Sequence, residues 1–419
     1  MNEELVVNEF PCTRPLQFPR RRSVCLCGPL SVCRALLAVL GSRPCVFSTP
    51  PACPVLVCCG GRRNNTFMAC GTSNSRVFKM LLDSGHEVTL LEGEELAQQE
   101  QDFTGHKHRG LVRLTPGRWL FPKKFTKYAN DLYNFKWRSS DVVVMTYPKC
   151  GTTWTQEIIW TMRNNNNFDH PHANEPIMDR VPFIEVDMLF PDGLTHGSPT
   201  MTETPSFLRH CPDADPNDGV YLQMSAAIPD PRTIKTHLPF SLLHPSMLDT
   251  VKVVYVARNP KDVLLSFMHH SRLFFDLDFQ GTVEDFYKYF ISGDLIFGGY
   301  DEHVKEAWER RTHPNLHFVF YEDMQADIMK ELRRLNDFLD TQLTEEQLKK
   351  VADYTSFESM KERGNEEMKK IFNQDVYKKD GGFFRKGKSG DWKKSLTPEL
   401  AAEMDSWTAK HFNFGITFK

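Results

Sequence analysis

The segment from Asp141 to Trp154, DVVVMTYPKCGTTW, constrains the fold of this chain more than any other. Its first half is short, apolar and β-branched, the composition of a strand buried on both faces of a parallel sheet. Pro148 and Gly151 then break the strand, and the pattern predicts a helix from about Thr152 through Arg163. Strand, glycine turn and helix in that order present backbone N–H groups and a helix N-terminus to an anion. Gly151 lets a phosphate approach the backbone, Thr152 and Thr153 offer hydroxyls in the first turn, and Lys149 offers a flexible positive charge. The lysine precedes the glycine, so the GxxxxGK[ST] pattern of nucleoside-triphosphate enzymes is absent, and a Mg²⁺-dependent kinase loses its main support. The plain alternative is an ordinary strand–turn–helix capped by Thr152.

Alternation continues downstream. RTIKTH predicts a strand ending at His237, VKVVYVAR a buried strand from Val251 to Arg258, and LHFVFY an interior strand from Leu316 to Tyr321. Helices are predicted from about Pro260 to Arg272 and at 283–292, 300–312, 324–339, 344–353 and 397–411. Such a chain specifies an α/β fold: a central, mainly parallel sheet flanked by helices on both faces, with a P-loop-like nucleotide-binding core. Upstream, SRVFKMLLDSGHEVTLLEGEELAQQEQDF predicts helical stretches, and Pro116-Gly117 a turn. Residues 164–231 are loop-rich. A connection of that length is a functional element or a solvated loop, and both readings stay open.

Composition sets the remaining bounds. The formal net charge of −3 supplies no global basic field, so nucleic acid and anionic membrane are not expected partners. Cys12, Cys25, Cys27, Cys33, Cys45, Cys53, Cys58, Cys59 and Cys70 precede residue 71, and only Cys150 and Cys211 follow. That distribution fits a reducing, cytoplasmic setting, and no metal-ligand spacing stands out. The apolar stretch after Arg20, Arg21 and Arg22 is split by Arg34 and falls short of a bilayer span; a signal-like segment is its alternative. Residues 1–70 are expected to be a disordered or poorly defined Cys/Arg/Pro-rich extension, and 71–419 a single domain carrying the insertion at about 164–231.

Further motifs follow in order. KTHLP, from Lys235 to Pro239, ends a strand with a histidine able to take a proton near neutral pH. YVARNPKDVLLS spaces Arg258 and Ser266, and RKGKSGDW, from Arg385 to Trp392, packs glycines and cations into an anion-binding concavity. TYPKCGTTW and these segments together resemble the cytosolic sulfotransferase family, with arthropod members the nearer likeness because of the long 190–232 stretch. Cys150 departs from the family's usual serine. The resemblance runs from about Leu111 to the C-terminus.

It implies a co-substrate, 3′-phosphoadenosine 5′-phosphosulfate, and no metal. It implies catalysis by His237, Lys149 and Lys235. It carries nucleotide contacts onto Lys149, Cys150, Gly151, Thr152, Thr153, Trp154, Arg258 and Ser266. Further contacts fall on Tyr321, on Thr355, Ser356 and Phe357, and on Phe384, Arg385, Lys386 and Gly387. The implied acceptor is a small phenol, steroid, alcohol or amine, and some family members go on to dehydrate the product. An apolar acceptor wall is expected in VPFIEVDMLF, with Phe183 foremost; core packing explains that stretch equally well. The family's dimer motif KxxxTVxxxE is matched by Lys393 and Thr397 but not by Pro398 and Ala402, so a homodimer is implied only in part. Rival readings are a membrane-anchored sulfotransferase acting on glycans or peptides, and a binding protein of the same fold without turnover.

Overall fold

The computed structural model describes residues 55–59, 66–70, 77–107, 109–190, 205–371, 384 and 387–419. The chain divides into two compact units, Met1–Val77 and Phe78–Lys419. In the first, β1 (Val55–Cys59) and β2 (Thr66–Cys70) form an antiparallel hairpin. Apart from those strands, the expected 1–70 extension lies outside the described residues.

The second unit contains the predicted parallel sheet. Its strands are β7 (Val142–Thr146), β8 (Thr233–Thr236), β9 (Lys252–Ala257) and β10 (Leu316–Phe320), in the order β10-β9-β7-β8 with every pairing parallel. Alternation along each strand splits the core in two. Val142, Val144, Val254 and Val256 face one apolar cluster with Ile158, Ile159, Leu332 and Leu335. Val143, Met145, Val253 and Tyr255 face the other with Val263, Leu264, Phe286 and Phe290. The helices Thr152–Asn164 and Ile328–Leu339 therefore cover one face, and Pro260–Leu273 and Val283–Ser292 the other. Each fully buried aliphatic or aromatic side chain contributes about 1.5–3 kcal/mol over its exposed state. This two-sided burial explains why the strands read as continuous apolar runs.

Two local expectations are corrected. The stretch expected to carry helix after Ser75 forms β3 (Val77–Leu81) and β4 (Glu87–Leu90) before the helix Gly93–Asp102 begins. β3 and β4 pair antiparallel, and β4 continues onto the hairpin of β5 (Leu111–Thr115) and β6 (Trp119–Pro122), which turns at Pro116-Gly117. The predicted 324–339 helix is two helices, Tyr321–Ala326 and Ile328–Leu339. The break is at Asp327, whose backbone leaves the helical region and whose side chain caps the second helix by accepting from the Lys330 N–H at 2.9 Å.

Candidate active site

All four parallel strands deliver predicted residues at their C-terminal ends, where an open α/β sheet binds ligands. β7 ends at Thr146 and runs into the turn holding Lys149 and Gly151; β8 is followed by His237, β9 by Arg258 and β10 by Tyr321. Lys149, Gly151, His237, Arg258 and Tyr321 border one cavity of about 330 Å³.

Sterics dictate the turn after β7. Lys149 and Gly151 both have left-handed backbone, φ 71° and 97°. Gly151 is the N-cap of the helix Thr152–Asn164 and no side chain caps that end, so the first N–H groups face the cavity without intrahelical partners. Thr152, Thr153 and Trp154 line the cavity at that end. The Thr152 hydroxyl lies 2.6 Å from the Thr146 hydroxyl. Trp154 meets Tyr321 edge-on at 5.7 Å between ring centroids.

Cys150 points the other way. It is fully buried, its sulfur lies 4.0 Å from the Tyr300 hydroxyl, and burial pushes its thiol up to about 12. Cys150 does not border the cavity, so this expected contact is not among the residues brought together there.

His237 is held on three sides. Its Nδ1 lies 2.7 Å from the Thr146 carbonyl oxygen, which can only accept. Nδ1 therefore carries the hydrogen, and Nε2 keeps its lone pair. The His237 carbonyl accepts from His303 Nε2 at 3.0 Å, and His303 Nδ1 accepts from the Tyr255 hydroxyl at 2.7 Å. The His237 N–H donates to Glu185 Oε1 at 2.5 Å. Burial, followed by the nearby Lys235, holds the His237 pKa well below the ordinary histidine value. The imidazole is neutral at physiological pH.

Glu185 reaches this position because residues 182–184 run alongside β8. Lys235 N–H donates to the Pro182 carbonyl at 2.9 Å and Ile184 N–H to the Lys235 carbonyl at 3.1 Å, with Phe183 and Lys235 forming a parallel bridge. The same pairing sets Lys235 Nζ 3.7 Å over the Phe183 ring, a cation–π distance. Burial pushes the Lys235 ammonium down and the Glu185 carboxyl up. On the opposite wall His270 Nδ1 lies 3.4 Å from Lys149 Nζ.

A second cluster of polar groups on the cavity forms around Arg258. Its guanidinium stacks over the Tyr321 ring at 4.4 Å and donates to the carbonyls of Lys149 at 3.1 Å and Lys388 at 3.2 Å. Ser266 borders the cavity two turns along the helix Pro260–Leu273. The loop at 387–390 is pinned there. Ser389 N–H donates to Gln325 at 2.9 Å and Gly390 N–H to Asp262 at 2.7 Å. Gly387 has φ 59°, and a Cβ on it would stand 2.1 Å from the Phe357 ring, so glycine is required. Phe357 and Phe384 both border the cavity, with ring centroids 6.4 Å apart.

Four further expected contacts are placed differently or lie outside the described residues. Thr355 is fully buried and its hydroxyl donates to the Val351 carbonyl at 2.8 Å; the Ser356 hydroxyl accepts from the Ser359 N–H at 3.3 Å. Both serve local helix structure, and only Phe357 of that trio borders the cavity. Arg385 and Lys386 lie outside the described residues. Glu185 and His270 were not anticipated. Glu185 sits in an apolar run, and a charge in such a run was the available signal.

The chain is similar to known proteins over much of its length. Residues 139–413 match the sulfotransferase domain. The chain is 35% identical to the luciferin sulfotransferase of Photinus pyralis over 293 residues, covering 68% of this chain and 75% of that protein. It is 35% identical to sulfotransferase 1A1 of Mus musculus over 290 residues, covering 69% and 90%. The solved structure of retinol dehydratase in a complex with retinol and PAP superposes with a TM-score of 0.69 and 31% identity, covering 80% of this chain and 99% of that one.

Proposed function

Since the chain belongs to the sulfotransferase family, we propose that it moves a sulfuryl group from 3′-phosphoadenosine 5′-phosphosulfate to a hydroxyl or amine of a small apolar molecule, with His237 as general base. The observation that carries this reading is the 2.7 Å contact between His237 Nδ1 and the Thr146 carbonyl, which leaves Nε2 as a neutral proton acceptor in the same cavity as Lys149 and Lys235.

The residues present fit such a nucleotide. Arg258 Nε is buried with no hydrogen-bond partner among the described residues. Glycine at 151 and 387 lets the two turns pack directly against the rings of Tyr321 and Phe357, which a Cβ would displace. Gly151, Thr152 and Thr153 would hold the 5′ side through backbone N–H and hydroxyl groups, and Arg258 and Ser266 the 3′-phosphate. Trp154 and Phe357 would flank the base. The bound nucleotide supplies an electrophilic sulfur attached to a phosphate leaving group.

The chain's own residues then supply positioning and electrostatics, the usual logic of such group transfers. His237 Nε2 accepts the proton of the attacking hydroxyl or amine. Lys149 and Lys235 place positive charge where negative charge develops, and the turn N–H groups add fixed dipoles.

The acceptor end is apolar, lined by Phe183, Val186, Phe190, Ile296 and Phe297. The relatives named for luciferin and retinol support an apolar acceptor with a reactive hydroxyl. Among the described residues no helix is long and apolar enough to cross a membrane. A cytoplasmic enzyme is part of the proposal, tested by fractionating cells that express the full chain. The partly matched dimer motif is tested by light scattering; in the structure its Thr397 caps the helix Pro398–His411.

The experiment for the function is transfer of label from the ³⁵S nucleotide to a panel of phenols, sterols, retinoids and amines. Sulfated product from wild type, lost in His237→Ala with nucleotide binding retained, is the expected result. Nucleotide binding without transfer to any acceptor would overturn the small-molecule reading. Product that has lost water instead of gaining sulfate would move the chain to a dehydratase reading.

A further inference from the structure

The apolar end of the cavity has two walls that are remote in sequence. One is the 183–190 segment, including Leu189; the other is the 274–277 segment, with Phe274, Asp276 and Leu277. A single side chain ties them together. Arg109 Nη1 donates to the Asp276 carbonyl at 2.7 Å, and its Nη2 donates to the Leu189 carbonyl. Nη1 also lies 3.8 Å from Asp276 Oδ2, and the Arg109 side chain is 7% exposed. Arg109 itself does not border the cavity.

The residues around Arg109 secure the same wall. Gly105 N–H donates to the Leu277 carbonyl at 3.2 Å, and Gln280 N–H donates to the Asp102 carbonyl at 2.8 Å. Phe103 pairs with Phe279 in an isolated antiparallel bridge. The approach at Gly105 is close enough that a Cβ there would stand 2.3 Å from the Phe275 carbonyl oxygen. This strap lies N-terminal to the matched sulfotransferase domain, which begins at residue 139.

We propose that Arg109 is a positioning residue for acceptor selection: it clamps the two apolar walls at a fixed separation and so sets the size of acceptor that reaches His237. The inference rests on reading the apolar end of the cavity as the acceptor site. Arginine suits the task because a planar guanidinium presents separate N–H groups to two carbonyls at once, whereas a lysine ammonium is a point donor on a flexible stem. Without the guanidinium the Leu189 and Asp276 carbonyls lose a buried donor. The walls then relax apart to admit water, because an unmet buried carbonyl is costly. The nucleotide end, held by Arg258 and the Gly151 turn, shares none of these contacts.

The test compares wild type, Arg109→Gln and Arg109→Lys on a graded series of phenolic acceptors, from single-ring to steroid-sized. The expected result for Arg109→Gln is a ratio of kcat/KM values shifted about tenfold or more toward the bulkiest acceptors. It should come from a raised KM for the smallest, with nucleotide KM and maximal rate little changed. Arg109→Lys should recover part of the wild-type ratio, and it carries the test if the Gln variant does not melt cooperatively. A folded variant with an unchanged size ratio, or with an equal loss of kcat on every acceptor, would overturn the proposal. A wild type that transfers to no acceptor would instead sink the underlying reading of the site.

Discussion

A Cβ placed on Gly151 would stand 2.5 Å from Cδ2 of Tyr321. That ring carries the Arg258 guanidinium on its face at 4.4 Å, so the missing side chain of Gly151 leaves the space that the Tyr321 ring and, through it, Arg258 occupy. Gly151→Ala meets both the ring and a φ of 97°, a conformation costing about 1–3 kcal/mol for a residue with a side chain. The expected outcome is a lowered melting temperature and nucleotide affinity reduced at least about tenfold, read by calorimetric titration with adenosine 3′,5′-bisphosphate. Unchanged affinity would show that the turn tolerates a side chain.

His237→Ala should cut transfer by about 10²–10⁴-fold, the range of a lost general base, while nucleotide affinity stays within a few-fold. The pH profile gives a second check. The His237 pKa is held well below its ordinary value, so the base stays unprotonated as pH falls from 8 through 6.5. The acid limb of kcat/KM should therefore lie below pH 6.5, the ordinary histidine value. An acid limb at or above that value would contradict the neutral, buried imidazole.

Lys235 should set the alkaline limb. Burial lowers its pKa, so its positive charge is lost as pH rises through a value below 10.5. Transfer should fall on the alkaline side earlier than an exposed lysine would allow. Lys235→Arg, whose guanidinium stays charged, should carry a lower maximal rate but an alkaline limb displaced upward. A limb that does not move in the variant would assign it to another group.

The buried pair behind β7 should control stability without touching the chemistry. Arg232 Nε donates to Asp141 Oδ1 at 2.7 Å, and neither side chain is more than 1% exposed. Asp141→Asn leaves that guanidinium buried without its counter-charge and should cost about 3–5 kcal/mol in urea unfolding. Nucleotide affinity under native conditions should stay near wild type.

The readable parts of the fold were those encoded by local, repetitive patterns. β7, β9 and β10 declared themselves because burial on both faces leaves only apolar residues in each strand. β3 did not, because VFKML carries no alternation and its strand state depends on pairing across the Ser84-Gly85 turn with β4, itself held by β5. Within the site, Lys149, Lys235, His237, Arg258 and Ser266 were legible because each sits next to a strand end or on the helix that follows one. Glu185 was not, because it meets His237 only through the bridge of Phe183 with Lys235, a pairing 52 residues apart in backbone terms for the hydrogen bond it supports. Arg109 was not, because its partners are two carbonyls, and a carbonyl has no sequence signature.

Thr146 serves two masters at the end of β7. Its hydroxyl touches Thr152 at the start of the anion-binding helix, and its carbonyl holds the ring of His237. On the proposed reading, the nucleotide turn and the general base are thus both gauged from one strand terminus in the centre of the sheet. New acceptor walls grafted from a relative would inherit an unchanged reactive distance, so this scaffold suits exchange of its acceptor loops better than any redesign of its strand ends.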